Sequence, residues 1–175
     1  MTKIFLQNKY DIIVIPVGNV PEKDLYELKE RLSGIFNLEI FPKEELPKEG
    51  YNKVRGQYLG DVFLKIGKKF FDRKKKALLI TNVDLYSHGL NFIFGIAEMN
   101  GDKCVVSISR LLSNNRELYL ARLAKEVVHE IGHTFGLVHC DDIYCVMHFS
   151  NSLMDTDIKS ENFCERCKNK VRPLY

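Results

Sequence analysis

His129, Glu130, His133, Gly136 and His139 spell H-E-x-x-H-x-x-G-x-x-H, a spacing that can gather three imidazoles around one metal ion. Four residues advance an α-helix by about 400°, so His129 and His133 project from nearly one side, a turn apart. A third histidine six positions further on would point away if the helix continued, being about 240° around and roughly 9 Å along. The helix must therefore stop. Gly136 supplies the stop, because glycine takes the left-handed conformation of a helix C-cap without a Cβ penalty. The chain then doubles back and delivers His139 to the ion.

Three neutral histidines leave one tetrahedral position of Zn²⁺ open for water, which marks a catalytic rather than a closed structural site. Glu130 flanks that position. As general base it would take a proton from the zinc-bound water while zinc polarises a scissile carbonyl, and the resulting acid could protonate the leaving amine. The chemistry implied is amide hydrolysis, of peptides first. A non-peptide amide substrate, or a module that keeps the metal without turnover, are the alternatives, and the intact Glu130 argues against the second. H-E-x-x-H alone arises by chance in on the order of one in a hundred chains of this composition, the extended form in about one in a hundred thousand.

Cysteines supply a second candidate metal centre. Cys140 and Cys145 have four residues between them, Cys164 and Cys167 have two, and 18 separate the pairs. Two short thiolate pairs at this separation match a closed Cys₄ zinc site, giving two Zn²⁺ per chain; disulfides are the competing account. A Cys₄ ion would tie the segment after Gly136 to the tail, a region too polar and short to fold on its own core. It would also steady His139, the neighbour of Cys140. Cys104, alone in an expected strand, reads as a small buried hydrophobe.

These groups need a scaffold, and the sequence patterns supply one. Ile12 to Val17 is a continuous β-rich run suited to a strand buried on both faces. Leu25, Leu28, Leu32 and Ile35 then recur at helical spacing after Pro21. Leu38 to Phe41 reads as a strand, Pro42 to Asn52 as a polar loop, and Val62, Phe63, Ile66 and Phe70 as a helix. Ala77 to Thr81 is a further buried strand. Strand and helix alternating in this way imply parallel pairing with right-handed crossovers. Asn91 to Ala97 and Cys104 to Ile108 flank Asn100-Gly101, a strong hairpin signal, so one of them should run antiparallel at an edge where a peptide could pair. Asn114 or Asn115 caps a long helix with Leu120, Ala124, Val127 and Ile131 on its core face, which turns His129 and His133 toward a cleft.

The fold class expected is therefore α/β, a twisted mixed sheet of about five strands with covering helices and an active-site helix. Residues 1–136 would form the N-terminal α/β subdomain, and 137–175 a small zinc-stapled C-terminal subdomain, within one catalytic domain. The 26 basic and 23 acidic residues leave a weak net field, so no nucleic-acid partner is expected. Lys68, Lys69, Arg73, Lys74, Lys75 and Lys76 form a local basic run that reads as a solvated helix end. The opening residues lack a secretory pattern, and Ile12 to Val17 is too short to span a bilayer, so a cytoplasmic protein without membrane attachment is expected. His88 and His148 lack ligand spacing and read as surface or hydrogen-bonded histidines.

The extended histidine motif with a methionine downstream resembles the metzincins. His139-Cys140, Cys145-Val146-Met147 and the Cys164 to Cys167 pair are similar to the archaemetzincins in particular. That resemblance implies a zinc metallopeptidase with His129, His133 and His139 as catalytic ligands and Glu130 as base. It further implies a methionine turn at Met147 packed under the metal without binding it, Met154 being a second candidate. No tyrosine follows Met147 before Tyr175, so the switching tyrosine of some metzincins has no counterpart and the oxyanion stabiliser is unassigned.

Overall fold

The computed structural model describes residues 9–66 and 75–171. A five-stranded sheet forms the centre, built from β1 (Tyr10–Val17), β2 (Phe36–Ile40), β5 (Lys76–Thr81), β7 (Gly95–Ala97) and β8 (Lys103–Ser107) in the order β2-β1-β5-β8-β7. All neighbours are parallel except β7, which runs antiparallel to β8 at the edge, with Ile96 opposite Val105. The β7–β8 turn passes through Asn100 with a left-handed φ of 52°, as the Asn-Gly pair anticipates.

Both faces of the sheet are covered, which is why its strands read as unbroken apolar runs. Ile12, Val14, Leu78, Ile80 and Val106 point to one face, against α1 (Glu22–Leu32) and α3 (Arg116–Thr134). Ile13, Ile15, Val17, Leu79 and Val105 point to the other. There the cover is Phe63 of a short α2 (Gly60–Phe63) and Leu85 of a small three-stranded sheet, β3 (Tyr51–Asn52), β4 (Gln57–Leu59) and β6 (Leu85–Tyr86). The small sheet and the 3₁₀ turn at Lys48–Gly50 carry no periodic signal, and part of this region was expected to be loop. Phe70 and residues 68, 69, 73 and 74 of the basic run lie outside the described residues.

Lys75 and Lys76 depart from the helix-end expectation. Lys75 reaches Glu39 at 2.8 Å, and Lys76 lies buried in β5. Its ammonium donates to Gly101 O at 2.7 Å and to Thr134 O at 3.1 Å, so a cation meets the C-terminal carbonyls of α3.

Helix α3 is fixed at both ends. Asn115 caps it by accepting from Leu118 N at 3.1 Å. Tyr119 Oη donates to Asp24 at 2.6 Å, and Arg116 pairs with Asp24 at 2.7 Å, which locks α3 to α1. Beyond α3, the described residues form two short helices, α4 (Leu153–Ile158) and α5 (Glu165–Lys168).

Candidate metal centre and cleft

The two imidazoles on α3 are brought to the third by the way this helix ends. Gly136 has φ +85°. Gly136 N donates to His133 O at 2.9 Å and Leu137 N to Gly132 O at 3.1 Å, the paired bonds of a Schellman motif. Asn100 N adds a third bond to His133 O at 2.9 Å, so the β7–β8 turn also holds this end. The chain reverses, and the ligating nitrogens of His129, His133 and His139 come within 4.8 Å of one another.

The rings are aimed by their outer nitrogens. His129 Nδ1 lies 2.8 Å from Val146 O and His133 Nδ1 2.7 Å from Leu137 O, so each Nδ1–H donates to a carbonyl and each Nε2 is turned inward. The two Nε2 atoms stand 3.1 Å apart, near the roughly 3.3 Å that two nitrogens on one tetrahedral zinc would keep. Burial holds His129 well below the ordinary imidazole pKa, with Lys159 and His133 acting the same way. Burial also lowers His133 and His139. Neutral rings result, as metal ligation requires. The donor set therefore fits zinc.

Glu130 is 5 % exposed and lies in the wall of a cleft of about 290 Å³, which His129, His133 and His139 also line. No hydrogen bond or ion pair to its carboxyl occurs among the described residues, and burial raises its pKa well above the ordinary value. Gly95 of β7 packs directly on it: a Cβ there would fall 2.7 Å from Glu130 Cγ and 2.7 Å from Val105 O. Ile93 to Ala97, with Leu90 and Met99, also line the cleft, as do Phe149, Ser150 and Asn151.

Met147 has no exposed surface, and its Sδ occupies the space a Cβ on Gly132 would need, so the thioether lies against α3 beside His133. Met154, the alternative, is 72 % exposed. His148 is half-buried and its Nδ1 meets Cys140 O at 2.8 Å, while His88 is exposed.

The four cysteines converge as the spacing requires. Their sulfurs lie within 4.8 Å of one another, and Cys140 Sγ is 3.8 Å from Cys164 Sγ. Two thiolates on one tetrahedral zinc sit about 3.8 Å apart, whereas a disulfide needs about 2.05 Å. All four are free thiols, and so is the buried Cys104. Burial opposes ionisation of Cys140, but Arg166 at 3.2 Å and the Asp142 amide outweigh it and bring the thiol down to about 7.

Sequence reasoning missed Gly95, Gly132, Glu126 and Lys159. Glu126 lines the cleft one turn before Glu130, so helical spacing could have found it. Nothing in the sequence marks the other three.

A helix carrying paired inward imidazoles, a third returned after a glycine, and a sheet edge along the same cleft together define a metallopeptidase of the metzincin class. Residues 45–173 match the model of peptidase family M54. The archaemetzincin of Methanopyrus kandleri is 50 % identical over 125 residues, 71 % of each chain. That of Methanocaldococcus jannaschii is 39 % identical over 168 residues, 92 % of each. The crystal structure of the Methanopyrus kandleri archaemetzincin superposes with a TM-score of 0.84 at 40 % identity, covering 93 % of both chains. The chain belongs to peptidase family M54, the archaemetzincins, and is a zinc metallopeptidase acting on peptide or protein substrates. No helix among the described residues is long and apolar enough to cross a membrane.

Proposed function

We propose that this protein hydrolyses peptide bonds with Glu130 as general base and His129, His133 and His139 holding the catalytic zinc. The observation that carries the reading is three ligating nitrogens within 4.8 Å beside a buried carboxylate that has no partner among the described residues, all on one cleft. Zinc bound there supplies a Lewis acid that polarises the scissile carbonyl and lowers the pKa of water. Glu130 takes the proton from the attacking water and returns it to the leaving amine. Burial raises its pKa, which suits a group that must hold a proton in mid-reaction.

The free edge of β7 aligns the substrate as an added antiparallel strand, since among the described residues Gly95 to Ala97 pair with β8 alone and border the cleft. Met147 packs beneath the ligands as the methionine turn, supported by its contact with Gly132. A second, structural zinc sits on Cys140, Cys145, Cys164 and Cys167, supported by the 3.8 Å sulfur separation. Residues 1–136 act as the N-terminal α/β subdomain with the active-site helix and 137–175 as the zinc-stapled C-terminal one. Four free clustered thiols favour a reducing compartment, the cytoplasm.

Native mass spectrometry should find two zinc ions per chain, and the zinc-loaded protein should cleave members of peptide pools with free and blocked N-termini. Cleavage of none across a broad pool would sink the assignment. Gly95→Ala should lower kcat about 10²-fold, because its methyl meets the Val105 carbonyl and displaces Glu130 by a fraction of an ångström to an ångström. Unchanged steady-state kinetics in that variant would mean that Glu130 is not held where we place it.

A further inference from the structure

Behind the cleft stands a fully buried cation with no part in the proton transfers above. The Lys159 side chain has no exposed surface, and its ammonium lies 3.0 Å from Glu126 Oε1. Glu126 is 3 % exposed, also accepts from Thr156 Oγ1 at 3.1 Å, and contributes to the cleft wall. The ammonium also reaches His148 O at 3.4 Å. His148 Nδ1 meets Cys140 O at 2.8 Å, and Cys140 N donates to Met147 O at 3.0 Å. Cys140 follows His139 directly. One path of polar contacts therefore runs from the active-site helix through Lys159 to the loop bearing the third imidazole.

Stability does not account for the pair. Burying two charges costs about as much as their attraction returns, and apolar side chains of similar volume often do as well or better. Nor does α4 need it as a fastening. Arg122 already grips Asp157 through two bonds of 2.7 Å, and Lys125 donates to Thr156 O at 3.0 Å and Asp157 O at 3.1 Å. What the pair adds is a rigid connection from Glu126, on the turn before Glu130, to His148, the residue after Met147.

We propose that Glu126 and Lys159 are positioning residues of the catalytic centre, a buried strut that sets His139 and the Met147 segment at one orientation relative to Glu130. This rests on the hydrolytic reading of the cleft. Misplacement of reacting groups by an ångström costs about 10²-fold in rate, so a strut of this kind acts on kcat rather than on substrate binding.

The test is the double variant Glu126→Leu with Lys159→Met, which exchanges the pair for apolar groups of similar size. It should melt within a few degrees of wild type and keep two zinc ions. Its kcat should fall about ten- to a hundredfold with KM changed less than twofold. Exchanging the histidine-bound ion for cobalt, after mild chelation that spares the thiolate site, should give a visible spectrum shifted from wild type. Wild-type kcat with an unshifted spectrum would overturn the strut, as would a loss of activity that only tracks loss of fold or zinc. Should the double variant not fold, Lys159→Arg decides: it should keep both ions, shift the cobalt spectrum and lower kcat several-fold, and identity with wild type in both readouts overturns the proposal. A wild-type protein that cleaves no peptide removes the hydrolytic reading alone, because the cobalt spectrum still judges the strut.

Discussion

Glu130→Gln should abolish measurable peptide hydrolysis, lowering kcat by roughly 10²–10⁴-fold, while both zinc ions remain bound. The substituted amide has the same size, so it fits the narrow space left by Gly95, where a Cβ would already stand 2.8 Å from Glu130 Oε1. The ligands on either side keep their hydrogen bonds to Val146 O and Leu137 O, so the ion keeps its seat. Only the base is lost. His133→Ala gives the complementary result: metal analysis should fall from two ions towards one, with activity lost along with the ion. Steady-state kinetics paired with metal counting on both variants separates the two roles. Full turnover in Glu130→Gln would refute the base assignment, and two retained ions in His133→Ala would refute the ligand assignment.

Cys167→Ser should cost the protein its thiolate-bound zinc and weaken its hold on the other. Structural zinc contributes on the order of 10 kcal/mol or more in small zinc-dependent folds, and the segment from Leu137 onward has few other anchors besides its contacts with α3 and α1. All three imidazoles depend on that segment, His133 through its bond to the Leu137 carbonyl. His139 precedes Cys140, and the carbonyl that orients His129 belongs to Val146, next to Cys145. Loss of such outer support typically costs 10–100-fold in metal affinity. The expected outcome is a lowered melting temperature, one zinc lost outright, and a catalytic ion that a weak chelator removes about 10–100 times more readily. A catalytic ion held as tightly as in wild type would show the two centres to be independent.

The histidine motif was legible because its spacing is helix geometry written in residue numbers, and the cysteines because two short pairs need no intermediate fold to be recognised. The large elements were legible for a similar reason. Runs such as Ile12 to Val17 and Ala77 to Thr81 are buried on both faces, so every residue carries the signal. The small sheet was not, since strands of two or three residues cannot establish an alternation. Lys76 misled because it neighbours other basic residues in sequence, while in space it meets the carbonyls that end α3. Gly95 and Lys159 matter through partners 35 and 33 positions away respectively, Glu130 and Glu126, and only tertiary packing pairs them.

An unpaired sheet border that can recruit a substrate strand can equally recruit a neighbouring molecule, and stacking of that kind leads to insoluble assemblies. Here the liability is contained by brevity and recess. β7 offers three residues, each half-buried. A docking backbone thus finds too short a ladder to propagate from, yet enough to hold a single extended segment in register. At β7 the border is long enough for a guest and too short for a template.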